Sequence, residues 1–253
     1  MFKIDLRGGL LIKVKVNLLA CGTCKAPVNW LTQDIPTPYR LYYVRGGCAY
    51  FRTGTTEVLL KKNHFYLFPS TLPFIIRQDP NDRLDHLFYN FIMTPSAVSA
   101  SFICASIDEH PLFQSFLHIM NRTVSDFKVS PIQQNKDIAA KALESFLTLF
   151  LSLYPVSQVQ SNDITDSIRY IEKNYMNDIT VREIARHLFL SEDYFIRKFK
   201  KAFGITPHVY LSRLRLSVAK ELISAGSSLQ AAADMTGFRY ASSLSHALKK
   251  SRG

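Results

Sequence analysis

Val181–Gly204 reads VREIARHLFLSEDYFIRKFKKAFG, and Leu229–Gly253 reads LQAAADMTGFRYASSLSHALKKSRG. The two stretches repeat one pattern. Each has an apolar helix with a small residue inside it (Ala185, Ala233), then a tight turn, then a second helix closing on paired lysines. Lys200-Lys201 answers Lys249-Lys250 at an offset of 49 residues. Two helix-turn-helix units in tandem are a device for holding two short helices against double-stranded DNA.

The spacing inside each unit assigns its faces. Phe195 and Phe199 lie four apart and are expected to bury against Ala185 and Leu188, which turns Asp193, Ile196, Arg197 and Lys200 outward together. In a major groove, Ile196 can touch a thymine methyl while Arg197 takes guanine O6 and N7 bidentately. The competing reading is a solvated basic helix with one stray apolar side chain. In the second unit Leu244 and Leu248 take the buried roles, leaving Ser242, Ser245, His246 and Lys249 outside. That face is the weaker reader, because hydroxyls and a mostly neutral His discriminate bases less well than Arg.

Local signals set the helix ends. Ile164, Ile168 and Ile171 line a first helix that ends at Asn174. Thr180 caps the next, with Glu183 completing a capping box. Ser191 is expected to cap the helix carrying Arg197, and Asp193 suits its positive end. Thr206-Pro207 opens a helix running to about Ser224, which Ala225-Gly226 ends. At ~1.5 Å per residue that rod is about 27 Å long, close to the roughly 34 Å that separates successive major-groove faces.

The 253 residues are 47% hydrophobic and 12% aromatic, enough for a real core. The formal charge of +11 favours a polyanionic partner. It is spread over both halves: residues 163–253 hold 15 Lys+Arg against 9 Asp+Glu, and residues 1–162 hold 16 against 11. Its placement beside the repeats is therefore what informs. Cys21, Cys24, Cys48 and Cys104 do not form a secreted disulfide framework. Cys21-Gly-Thr-Cys24 has metal-ligand spacing, but no second Cys or His pair follows it, so free thiols near a strand end are expected. Leu18-Leu19-Ala20-Cys21 imitates a lipoprotein cleavage box, yet Lys13, Lys15 and Asn17 interrupt the apolar stretch such a signal needs. The longest apolar run, Phe146–Tyr154, is too short for a bilayer. A cytoplasmic protein without membrane contact is the expectation.

Ahead of the repeats, Leu10–Met93 is mostly of period two. Short runs at Leu11–Val16, Arg40–Val44, Ala49–Arg52, Glu57–Leu60, Phe65–Phe68, Phe74–Arg77 and His86–Met93 are separated by Gly46-Gly47, Thr53-Gly54-Thr55 and Lys61-Lys62-Asn63. This predicts an antiparallel β-barrel or jelly roll. Asp108–Asn121 reads as a helix with Leu112, Phe116, Leu117 and Met120 on one face. Ile132–Tyr154 is a longer helix whose stripe of Ile138, Ala142, Phe146, Leu149, Phe150 and Leu153 serves either packing onto the barrel or a homodimer seam. Pro155–Asp163 is the natural linker. The fold class is thus α+β multidomain: a sensor barrel over 1–107, a helical extension over 108–154, a linker over 155–163, and an all-α domain over 164–253.

The C-terminal third resembles the DNA-binding domain of the AraC/XylS family of bacterial regulators. The resemblance rests on Ile184-Ala185, Ser191, Tyr194-Phe195, Phe199-Lys200-Lys201, Gly204-Ile205-Thr206-Pro207, Tyr210-Leu211, Arg215, Ala219, Leu222 and Gly237-Phe238. It implies two helix-turn-helix subdomains joined by one long helix and entering adjacent major-groove segments of promoter DNA, with RNA polymerase as a further partner. Carried over by position, base readers fall at Asp193, Ile196 and Arg197, and at Ser242, Ser243 and His246. Phosphate contacts fall at Ser191, Lys200, Lys201, Arg239, Lys249 and Lys250. Two departures matter. Leu248 and His246 stand where the family has Phe and Arg, and the family pattern continues beyond Gly253 with a Thr-Pro and a closing helix.

Residues 10–93 resemble, more loosely, the cupin-type sensor barrel found ahead of such domains, through Gly46-Gly47 and Leu67-Phe68-Pro69. Metal-dependent cupins carry a His-x-His pair; His64, His86 and His110 stand singly, so no metal or other cofactor is expected. The barrel lining is expected to be apolar and aromatic, with Tyr42, Tyr50, Phe65, Phe68 and Phe91 facing a small organic effector. No nucleophile elbow or phosphate-cradling loop is present. A ligand-responsive transcriptional regulator is the favoured reading. The rival is a cupin-type binder or enzyme whose helical domain no longer binds DNA productively.

Overall fold

The computed structural model describes residues 14–26, 38–53, 56–69, 74–94, 102–154 and 163–250. Among these described residues, eight strands form two antiparallel sheets. β1 (Lys15–Lys25), β7 (Asp85–Thr94), β2 (Tyr39–Gly46), β5 (His64–Phe68) and β8 (Ile103–Ser106) make one, in that spatial order. β4 (Thr56–Leu59), β3 (Ala49–Thr53) and β6 (Ile75–Gln78) make the other.

Period two explains the layering. Along β5, Phe65 and Leu67 enter one core while Tyr66 and Phe68 enter another on the opposite face. Along β2, Tyr39, Leu41 and Tyr43 join the first core and Tyr42 and Val44 the second. The five-stranded sheet is therefore a middle layer buried on both faces, which is why its strands read as nearly continuous apolar runs. One face meets the smaller sheet through Phe51, Phe74, Ile76 and Leu84; the other meets two helices.

Those helices are α1 (Pro111–Val129) and α2 (Gln133–Leu153), an antiparallel hairpin. Asn135 Nδ2 fastens its turn by donating to Asp126 O at 3.3 Å and Ser130 O at 2.8 Å. The sequence expectation needs correction here. Ile107–Glu109 is a separate 3-10 turn with its own Ser106/Glu109 capping box, and α1 starts only at Pro111 and runs eight residues past Asn121. Proline at the first helical position sets that start. On α1 the buried residues are Phe113, Met120, Thr123 and Val124, with Leu112 47% exposed. On α2 they are Ala139, Leu143, Phe146, Leu147, Phe150 and Leu151, whereas Ile138 and Leu153 are exposed. The predicted stripe is rotated by about one residue, because α2 is apolar around much of its girth and the sheet and α1 together select the buried sector.

The strand predicted at Leu11–Val16 also shifts. β1 occupies Lys15–Lys25, so Leu18-Leu19-Ala20-Cys21 and Cys24 are strand residues; residues 11–13 lie outside the described set, as does the linker over 155–162. The four cysteines are free thiols. No helix among the described residues is long and apolar enough to cross a membrane.

The C-terminal region is helical: α3 (Asp163–Asn174), α4 (Val181–His187), α5 (Glu192–Phe203), α6 (Pro207–Ser224), α7 (Leu229–Thr236) and α8 (Ala241–Lys250). Ile168, Ile171, Ile184, Phe195, Phe199, Tyr210, Leu214, Val218, Ala233 and Leu244 share one core with α6 at its centre. Leu19 of β1 and Ile92 of β7 belong to that same core, so α6 packs on the end of the five-stranded sheet.

Candidate nucleic-acid interface

The first unit is α4–turn–α5. Thr180 Oγ1 accepts from Glu183 N at 3.2 Å, and Thr180 N donates to the Glu183 carboxylate at 2.8 Å, so the predicted capping box is formed. These bonds hold the Glu183 carboxyl below its usual range. Phe195 and Phe199 are wholly buried, with Phe199 in edge contact with Tyr210 of α6. Their burial fixes the rotation of α5 and leaves Asp193, Arg197, Lys200 and Lys201 exposed on the far side. Ile196 is only half-exposed, flanking that face rather than crowning it.

Ser191 sits at the N-cap position with extended backbone, but its side chain makes no capping bond. The expectation that it caps α5 is thus corrected. The first turn relies on Glu192 and Asp193 against the positive helix end. Glu192 is also tied to Arg182 at 3.2 Å, across the turn. Lys198 is spent differently from its neighbours: its ammonium pairs with Asp163 Oδ2 at 2.6 Å and lies over the Tyr194 ring.

The second unit, α7–turn–α8, repeats this design with fewer charges. Ser228 caps α7 by accepting from Ala231 N at 3.1 Å. Leu244 is buried and Leu248 packs against the same core, leaving Ser242, Ser243, His246, Lys249 and Lys250 exposed, with Arg239 exposed in the turn before α8. Ser245 is only partly exposed. Both units hang on α6, which begins at the predicted Thr206-Pro207 and ends at Ser224.

The expected effector-lining residues are dispersed. Phe65 and Phe91 point into the core beneath α1 and α2, Phe68 fills the space between the sheets, and Tyr50 lies outside under Arg77. Tyr42 alone of the five borders a cavity of about 360 Å³ that lies where β1, β2 and β7 face the ends of α1 and α6. Its polar members include Arg40, His86, Asn90, Glu221 and Ser224. Glu221 accepts from Asn90 Nδ2 at 2.8 Å and lies 3.6 Å from Arg40 Nη2. Burial pushes the Tyr42 phenol up to about 12 and the His86 imidazole down to about 4, so both are neutral near pH 7. Sequence reading missed this cluster. Its one legible signal was Glu221 itself, a carboxylate three residues after Val218 on the apolar side of α6. Among the described residues, no group of three or more His, Cys, Asp or Glu is gathered as a metal would require.

Comparison with known proteins adds to this geometry. A helix-turn-helix domain family matches residues 184–253. The probable transcriptional regulator LumQ of Photobacterium leiognathi is 32% identical over 115 residues, 45% of this chain and 46% of that protein. The raffinose operon transcriptional regulatory protein RafR of Pediococcus pentosaceus is 22% identical over 264 residues, covering 94% of this chain and 90% of its own length. Among solved structures, ToxT of Vibrio cholerae bound to (E)-4-(8-methylnaphthalen-1-yl)but-3-enoic acid covers 94% of both chains with a TM-score of 0.60 at 12% identity. The same protein with an unsaturated fatty acid bound gives a TM-score of 0.56 at 11% identity. That likeness is one of fold.

Proposed function

We propose that the chain is a transcriptional regulator of the AraC/XylS family, binding promoter DNA sequence-specifically in response to a small organic effector held by its N-terminal domain. One observation carries the DNA reading: burial of Phe195 and Phe199 leaves Arg197, Lys200 and Lys201 exposed together on α5, while Lys198 is paired with Asp163. A helix face whose Arg197, Lys200 and Lys201 form no ion pair among the described residues suits a phosphate-lined groove. In this reading Arg197 and Ile196 specify bases, with Asp193 beside them. Ser191, Lys200 and Lys201 hold phosphates. Ser242, Ser243 and His246 read the adjacent segment weakly, held there by Arg239, Lys249 and Lys250.

Effector control is supported by the cavity between the sheet and α6, and by the organic acids bound to ToxT, a protein of the same fold. The output is activation through RNA polymerase. Ile138 and Leu153, exposed on α2, offer a surface for a second copy. The domains divide over 155–163. A gel shift with DNA from the chain's own upstream region tests the reading: retention against excess unrelated DNA is expected, and equal displacement by both would overturn it.

A further inference from the structure

The cavity where β1, β2 and β7 meet α6 has a polar end at which a buried donor, Arg40 Nη1, and a buried acceptor, Asn90 Oδ1, both lack a hydrogen-bond partner among the described residues. Arg40 offers five N–H donors. Its side chain is 11% exposed, its Nη2 sits 3.6 Å from Glu221, beyond good hydrogen-bonding distance, and its buried Nη1 has no partner among the described residues. Phe74 packs on the guanidinium, its ring centroid 5.7 Å from Cζ, and fixes its place. Beside it, Asn90 Nδ2 donates to Glu221 at 2.8 Å. Ala20, Phe88 and Phe127 give the wall an apolar side. At about 360 Å³ the space falls at the lower end of the ~300–1,000 Å³ range of ligand pockets.

Glu221 differs from Arg40, Asn90 and His86 because it comes from α6, the helix that carries both helix-turn-helix units. Its contacts with Arg40 of β2 and Asn90 of β7 tie α6 to the sheet. Its side chain keeps 19% of its exposure, so the carboxylate has a route to water. A competing carboxylate could take over its partners without stranding it in a dry interior.

We propose that this cavity binds a small organic carboxylate with an apolar, preferably aromatic, body, and that the ligand carboxylate displaces Glu221 from Arg40 and Asn90. Effector binding then exchanges a tie between the sheet and α6 for one between the sheet and the ligand. The proposal deepens the reading of the chain as an effector-responsive regulator and rests on it. The Arg40 guanidinium gains the close acceptor it lacks, Asn90 keeps one, and Phe88 and Phe127 cover the ligand body.

The test is calorimetric titration of the full chain with phenylacetate and phenylpropionate, and with their neutral amides. The carboxylates are expected to bind about tenfold or more tightly than the amides, the scale of one charge-assisted hydrogen bond. Glu221→Gln removes the internal competitor while keeping its shape, and should tighten carboxylate binding by about tenfold and leave the amides unchanged. Arg40→Gln should abolish the preference, and Arg40→Lys should keep part of it. Should Arg40→Gln fail to fold, as judged by circular dichroism, the Glu221→Gln titration decides alone. Equal binding of acid and amide, no binding of either acid, or weaker acid binding by Glu221→Gln would overturn the proposal. Gel shifts on the same preparations separate the two ideas. Carboxylate selectivity without sequence-specific DNA binding sinks the regulator reading and leaves the site standing; the reverse leaves the regulator and sinks the site.

Discussion

Arg215 and Gly237 meet where the two helix-turn-helix units join. Arg215 Nε donates to Tyr175 O at 2.8 Å and Nη2 to Asn177 O at 2.6 Å, so one side chain of α6 holds the connection from α3 to α4. The turn after α7 seats on the same spot. A Cβ on Gly237 would lie 2.7 Å from Tyr175 O and 3.0 Å from Arg215 Nε, and the residue has φ +74. The second unit's turn is thereby registered against the first.

Two glycines at similar dihedrals should therefore respond differently to alanine. Gly204 caps α5 at φ +72 with nothing near its missing Cβ, so Gly204→Ala should cost about 1 kcal/mol, the left-handed penalty alone. Gly237→Ala adds a collision with backbone that cannot simply rotate away, and should cost roughly 3 kcal/mol or more. Urea unfolding of both variants checks this, and equal costs would contradict it.

Ser191 and Thr180 offer a second contrast. Thr180→Ala breaks a formed capping box and should cost about 1 kcal/mol, whereas Ser191→Ala loses no capping bond and should stay within about 0.5 kcal/mol. If Ser191 instead holds a phosphate, its alanine variant loses affinity for every DNA sequence alike. Thermal melts and filter binding separate the two effects.

Arg197→Ala should relax specificity, reducing discrimination at one base pair by about 1–3 kcal/mol. Lys200→Ala should weaken binding on all sequences and lower the salt slope by roughly one. Unchanged relative affinities for mutated operators in Arg197→Ala would remove α5 from the groove.

His86 makes the fold sensitive to acid. Burial lowers its pKa from 6.5 to about 4; the nearby Asp85 carboxylate and a hydrogen bond with the Leu84 backbone offset this only partly, and Arg45 adds to it. The folded state then binds fewer protons than the unfolded chain between those values, so this contribution is complete above pH 6.5 and lost as pH falls towards 4. By pH 5 the loss is about 2 kcal/mol. Denaturant titrations at pH 7 and pH 5 should show it, and His86→Gln should remove it.

Legibility followed the range of the interactions. Thr180 with Glu183, Thr206 before Pro207, and Phe195 four residues before Phe199 are local, and each lies where its spacing put it. The rotation of α2 was not legible, since Ile138 and Ala139 are both apolar and only the sheet beneath decides between them. Ser191 has a capping residue's identity without its bond. The cavity was least legible of all, because Arg40, Asn90 and Glu221 meet across separations that leave no local pattern, and the aromatic residues expected to line it are mostly spent on two other cores.

The central claim is that two unequal units read adjacent DNA segments from one rod. Base-by-base mutagenesis of a bound operator, with affinities measured at fixed salt, tests it most directly. Steep penalties are predicted across the segment under α5, through Arg197 and Ile196, and shallow ones across the segment under α8, through Ser242, Ser243 and His246. Penalties of equal depth in both segments would contradict the assignment of reading power, and flat penalties throughout would contradict sequence reading by either unit.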